Sequence, residues 1–207
     1  MKQYALPLLV LAGASLIAAP VLSASPAASY TATRQDRFGA FSVVSAQRAR
    51  LVGVTDGSSP ADFLAMVEAH PGIRSLELID CPGTYDDIAN LRLGRMIRQH
   101  GITTIAPAGA SVRSGAVDIF LAGSSRMAAP DARFSVHSWL SQDGRQASSI
   151  STNDPARAAY ERYYRDMGLS DAAARAFYAL TVSVPNNRTL DLAPRELGRF
   201  AKVTVTT

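Results

Sequence analysis

From Leu51 onward, short apolar runs alternate with longer amphipathic segments, and this rhythm limits the folds open to the chain more than any other feature. Leu51-Val52-Gly53-Val54 reads as a buried strand stopped by Asp56-Gly57. Pro60 stands where a helix's first turn tolerates it. Phe63, Leu64, Met66 and Val67 then follow at helical spacing between Ala61 and Ala69, and His70-Pro71-Gly72 ends the segment. Leu76-Glu77-Leu78-Ile79 is a second strand, turning through Asp80-Cys81-Pro82-Gly83-Thr84. The spacing predicts a helix over Asp86 to His100, with Ile88, Leu91, Leu93, Met96 and Ile97 as its apolar stripe and Gly101 as its stop. Ile102 to Ala106 is a third strand, Ser114 to Ala122 an apolar helix closed by Gly123, and Arg133 to Trp139 a fourth strand. Helices near Pro155 to Met167, Ser170 to Leu180 and Pro194 to Phe200 precede a last strand at Val203 to Val205. Such alternation implies a layered α/β fold with mainly parallel strands, in one domain over 51–207. The lead-in over 25–50 is expected to be irregular with one short strand, and no internal repeat is visible.

Composition removes several function classes. With 47% hydrophobic and 18% charged residues over 207 positions, the chain is ordinary for a globular protein. A single cysteine, Cys81, excludes an intramolecular disulfide scaffold and a cysteine zinc cluster. Three histidines, His70, His100 and His137, leave little material for a histidine metal site. The formal charge of +4 comes from dispersed arginines. The one cluster, Arg34, Arg37, Arg48 and Arg50, reads as a solvated surface, so no nucleic-acid partner is expected. At the N-terminus, Met1-Lys2-Gln3 precedes an uncharged stretch from Tyr4 to Val21 and the small residues Ser23-Ala24-Ser25. That pattern is a secretory signal over 1–24, with a retained membrane anchor as the alternative. Cleavage would leave a periplasmic or secreted protein free of the membrane.

Three short segments carry the chemistry. Ser114 opens an apolar helix, beside unpaired N–H groups and the positive end of the helix dipole, a position that suits either a nucleophile or a simple N-cap. Gly115 after it would let a substrate approach closely. His137 in Phe134-Ser135-Val136-His137-Ser138-Trp139 is the only histidine in a predicted strand, and it reads as a general base or as a satisfied core residue. Cys81-Pro82-Gly83-Thr84 is a tight turn that could aim successive N–H groups at an oxygen.

In order and spacing, from Ile79 to Trp139, these segments resemble the Clp-protease/crotonase superfamily. CPGT stands where that family has its Pro-Gly-Gly oxyanion turn, SGAVDIFLAG where it has the nucleophile helix, and APDARFSVHS where it has the catalytic histidine. The following SQDGRQASS resembles the family's substrate-binding strand, and Pro155 to Met167 its handle helix. The resemblance implies Ser114 as nucleophile, His137 as base, and an oxyanion hole from the N–H groups of Gly83, Thr84 and Gly115. It implies an exported serine peptidase acting on peptides or unfolded protein, possible homo-oligomers, and no Clp unfoldase partner.

The pattern departs at the third triad member. Where the family places an Asp, Pro185 to Glu196 offers Asn187, Arg188 or Thr189, with Asp191 slightly late and Asp118 as a second acid one turn after Ser114. A Ser–Lys dyad would have only Lys2 or Lys202 to draw on, and a Cys81 hydrolase has no histidine tied to it by pattern. A crotonase-type acyl-CoA enzyme is discounted for an exported chain. The alternative from another class is a catalytically silent periplasmic binding or assembly protein that keeps the fold.

Overall fold

The computed structural model describes residues 36–140, 144, 146–147 and 154–207. The signal segment over 1–24 lies outside these, as does most of the SQDGRQASS stretch. The chain forms eleven strands and six helices among the described residues, in two sheets. The larger sheet has the order β1-β2-β3-β4-β6-β8-β11, from Arg37–Phe38, Phe41–Ser45, Arg48–Leu51, Ser75–Leu78, Thr103–Ala106, Arg126–Ala128 and Thr204–Val205. From β3 to β11 its neighbours run parallel, and β1 and β2 join the edge antiparallel. The smaller sheet, β10-β9-β7-β5, uses Leu190–Leu192, Arg133–Val136, Ser111–Arg113 and Asp80–Cys81. There β5, β7 and β9 are parallel and β10 is antiparallel to β9. The layered, mainly parallel α/β architecture expected from the sequence is therefore the one the chain adopts.

Three consecutive turns of the chain repeat one path. A strand of the large sheet (β4, β6, β8) leads within a few residues to a strand of the small sheet (β5, β7, β9), and then to a helix. The helices are α2 (Asp87–Gln99), α3 (Gly115–Leu121) and α4 (Pro155–Asp166). An earlier, shorter turn runs from β3 through Thr55, which bridges Thr84, to α1 (Ser59–Ala69). The repeat is one of structure without a repeated sequence. Because β5, β7 and β9 are parallel neighbours, their carboxyl ends lie side by side, and Gly83, Ser114 and His137 each follow one of those ends.

The core sits between and around the sheets. Helix α3 is buried along its whole length and touches β6 and β7, strands of different sheets. Phe120 packs on Phe134 from β9 with ring centroids 4.5 Å apart. Tyr163, Tyr164 and Phe177 bring α4 and α5 (Asp171–Ser183) onto this layer, with Tyr164 edge-on to Phe177 at 5.0 Å. The closing elements are β10, the short α6 (Pro194–Leu197) and β11.

Some expectations change. Residues 37–45, read as part of an irregular lead-in, pair as β1 and β2 and extend the large sheet, with Phe41 and Val43 pointing into the core. The strand expected at Leu51 to Val54 is β3 and lies three residues earlier, so Val52 is exposed. His137 falls just beyond β9 rather than inside it. Arg48 and Arg50 are not merely solvated: both bind Glu77, at 3.0 and 2.9 Å.

Candidate functional site

Ser114 is the one non-glycine with positive φ among the described residues, at φ 52° and ψ −131°. An L-residue held there stores strain of order 1–3 kcal/mol, and such strain is kept only where the surroundings enforce it. Here they do. The Ser114 N–H donates to the Ser135 carbonyl of β9 at 2.8 Å, and its own carbonyl accepts from Val117 of α3 at 2.9 Å. The Ser114 side chain caps nothing, which removes the N-cap explanation for this serine. A sharp strand-to-helix turn thus presents a free Oγ at the start of α3, the same device as a nucleophile elbow.

Gly83, at φ 141°, lies against that turn. A Cβ at position 83 would fall 2.9 Å from the Ser114 Cβ and 3.3 Å from its Oγ, so only glycine fits. Among the described residues neither the Gly83 N–H nor the Gly115 N–H donates to another group. The Gly83 carbonyl instead accepts from Thr55 N–H at 3.1 Å, which fixes the peptide's orientation. Thr84, the third residue named for this turn, uses its hydroxyl to brace it, donating to the Thr55 carbonyl and accepting from the Asp86 N–H, both at 3.1 Å. Asn90 of α2 locks the other side: its amide donates to the Gly115 carbonyl at 2.8 Å, and its Oδ1 accepts from the Thr55 hydroxyl at 2.8 Å. Nothing in the sequence marked Asn90, because an asparagine inside a helix reads as a solvated position.

His137 is half-buried and shares a narrow cavity of about 30 Å³ with Ser114, Gly115, Asp87 and Asp118. That is room for little more than a water molecule. Its Nδ1 lies 2.9 Å from the Ser138 carbonyl, so Nδ1–H donates there and Nε2 carries the free lone pair. The Asn186 amide donates to the same carbonyl at 2.8 Å, with its Nδ2 3.2 Å from the His137 Nδ1. The neighbour of the histidine is therefore Asn186, while Asn187, the residue expected there, is exposed one position further on. Between Ser114 Oγ and His137 there is no hydrogen bond; the two groups line the same cavity without touching.

Neither acid named from the sequence bonds to His137. Asp191 pairs in register with Ser135 and accepts from its hydroxyl at 2.6 Å, within the β9–β10 ladder and not at His137. Asp118 is buried one helical turn below Ser114, accepts from the Tyr164 hydroxyl at 3.0 Å, and is pushed up to about 8 by burial, against the Tyr164 bond and with the help of Asp87. It is mostly protonated at neutral pH. Asp87, at the start of α2, was not singled out in the sequence; burial raises its pKa, Tyr160 lowers it, Asp86 raises it and His137 lowers it. Cys81 is fully buried in β5, its thiol bonded to the Leu51 carbonyl and pushed up to about 12 by burial, so it is no nucleophile. The rest of the cavity wall is largely aromatic, with Trp139, Tyr160, Tyr164, Phe177 and Tyr178. Among the described residues no group of three or more His, Cys, Asp or Glu side chains is placed to hold a metal, and no helix is long and apolar enough to cross a membrane.

No family model matches the chain, and no curated protein matches it. Solved structures that resemble it include an alanine mutant of a protein described as the 1510-N membrane-bound stomatin-specific protease, 18% identical, covering 75% of this chain and 77% of that one, with a TM-score of 0.49. A second alanine mutant of that protease, in complex with a substrate peptide, is 20% identical over 75% of each chain, with a TM-score of 0.46. A third structure, the 1510-N membrane protease specific for a stomatin homolog from Pyrococcus horikoshii, is 17% identical over 75% of this chain and 71% of that one, with a TM-score of 0.49.

Proposed function

We propose that this chain is a serine hydrolase of the Clp-protease/crotonase type, a peptidase acting on peptides or unfolded protein outside the cytoplasm. The observation that carries this reading is Ser114: a strained, uncapped serine at a helix start, facing a glycine turn with free N–H groups and sharing a cavity with an oriented histidine. Ser114 Oγ attacks the substrate carbonyl while His137 Nε2 takes its proton. The Gly83 and Gly115 N–H groups receive the oxyanion, with Thr84 holding their turn in place. His137 then returns the proton to the leaving amine, and water attacks the acyl-Ser114 ester by the same route. Closing the gap between Ser114 and His137 falls to substrate binding, because catalytic hydrogen bonds tighten in the complex. No step of this sequence calls on a metal or organic cofactor. Assembly into homo-oligomers and action without an unfoldase belong to the same reading.

The test is labelling of the purified protein with a fluorophosphonate probe beside Ser114→Ala and His137→Ala. Labelling lost in both variants is the expected result. A folded wild-type protein that takes no label would favour the second reading, a silent binding or assembly protein on the same fold. That reading has one observation on its side: the group beside His137 is an amide, where a triad has a carboxylate.

A further inference from the structure

The two oxyanion donors of this reading are both glycines, the residues whose backbone turns most freely. An oxyanion hole stabilises charge only when its N–H groups are held in place before the reaction. With no side chain of their own, Gly83 and Gly115 have to be held from outside, and each is held at its carbonyl. The Gly83 carbonyl accepts from the Thr55 N–H at 3.1 Å, and the Gly115 carbonyl accepts from the Asn90 amide at 2.8 Å. A carbonyl only accepts, so the Asn90 nitrogen faces Gly115 and its Oδ1 faces Thr55. The Thr55 hydroxyl donates to that Oδ1 at 2.8 Å and lies 3.4 Å from the Gly83 carbonyl. A path of three hydrogen bonds thus runs from one glycine to the other through Thr55 and Asn90. Both residues are 1% exposed, so water cannot stand in for a bond that is lost. The fit is also close: a Cβ at position 115 would fall 2.7 Å from Thr84 Cγ2 and 3.0 Å from Asn90 Nδ2. Thr55 follows β3 in the earlier, shorter coil, which brings no reacting group of its own to the site.

We propose that Thr55 and Asn90 are positioning residues of the oxyanion hole, a buried strut that holds two glycine N–H groups from different coils in one frame. The inference rests on the reading of Gly83 and Gly115 as the oxyanion donors. It gives the earlier coil a part in the chemistry, because Thr55 carries the glycine turn on its backbone and Asn90 on its hydroxyl. A shift at either glycine is then felt at the other.

Thr55→Val keeps the shape and the backbone bonds of Thr55 and removes only the hydroxyl, whereas Thr55→Ser keeps the hydroxyl. Asn90→Asp keeps the acceptor for Thr55 and replaces the amide that donates to Gly115. Two measurements use these variants. The first needs no activity: the glycine amides are followed by NMR in isotope-labelled protein. Thr55→Val should displace the Gly115 resonance and Asn90→Asp the Gly83 resonance, each across the strut. Gly101 and Gly109 should not move in either variant, and Thr55→Ser should leave Gly115 in place. If Gly115 is unmoved by Thr55→Val, or Gly83 by Asn90→Asp, the proposal is overturned whatever the protein's reactivity. The second measurement is fluorophosphonate labelling at rising probe concentration. Thr55→Val and Asn90→Asp should each slow the limiting rate about tenfold or more, with the half-saturating concentration near wild type. Thr55→Ser should label at close to the wild-type rate. A wild-type limiting rate in Thr55→Val overturns the proposal, and so does an equal loss in Thr55→Ser. Coupled glycine resonances in a protein that never takes the label support the strut and overturn only the hydrolase reading.

Discussion

Helices α2 and α3 each follow a strand of the small sheet, β5 and β7, and they start in opposite ways. Asp86 precedes α2 in extended backbone and its carboxylate accepts from the Ala89 N–H at 2.9 Å. Ser114 precedes α3 at φ 52° with its hydroxyl bonded to nothing among the described residues. Both helices carry an acid in the first turn, Asp87 in one and Asp118 in the other, and both acids face the same cavity. An N-cap that closes its helix is worth about 1 kcal/mol. At α3 that stabilisation is absent and strain is added, leaving an unsatisfied hydroxyl and a free N–H beside a glycine turn. One start serves the fold, and the other is maintained against the fold's local preference.

The contrast can be broken most sharply at Gly83. A methyl group there would press on Ser114 and displace the turn, so Gly83→Ala should slow fluorophosphonate labelling by about 100-fold or more while circular dichroism stays near wild type. The two first-turn acids differ next. Asp118 has a folded pKa of about 8, well above its ordinary value, so the folded state holds a proton that the unfolded state releases as pH rises. Its contribution is present in acid and is lost as pH approaches about 8. Asp118→Asn should therefore stabilise the protein more at about pH 8 than at about pH 5 in urea titrations, flattening the decline in between. Ser114→Gly should raise stability by about 1 kcal/mol as the strain is relieved, while abolishing labelling. Asp86→Ala should lower stability by about 1 kcal/mol and change labelling least. Opposite signs for the last two would establish that the helix starts are built for different ends; equal signs would dissolve the comparison.

The helices α1 to α6 were legible because amphipathic spacing, Pro at first turns and Gly or His at ends act locally. The Ser114 turn and His137 were legible as residue types at a spacing. What the sequence could not show depends on neighbours distant along the chain. Asp80–Cys81 and Ser111–Arg113 are too short to have a period, and they are strands only because each lies beside the next. The repeated strand-strand-helix path is carried by those same short strands, so no repeat could be seen. Asn186 displaces Asn187 because it sits just beyond α5, where the end of the helix and the Gln146 contact at its N–H set which of the two asparagines turns inward. Arg126 is buried, donating to the Leu121 and Met167 carbonyls at two helix ends, and burial lowers its pKa to about 10, a placement that no local pattern announces.

The three pieces of the site sit at the ends of three stacked coils, Gly83, Ser114 and His137, with one helix between each pair. No fragment short of all three coils contains Gly83, Ser114 and His137 together. The Ser135 carbonyl of β9 that holds Ser114 in its strained conformation comes from the third of these coils, so the turn at Ser114 is complete only when all three have met. The backbone at Ser114 is thus a local record of long-range assembly, set by a strand 21 residues further along the chain (135 − 114).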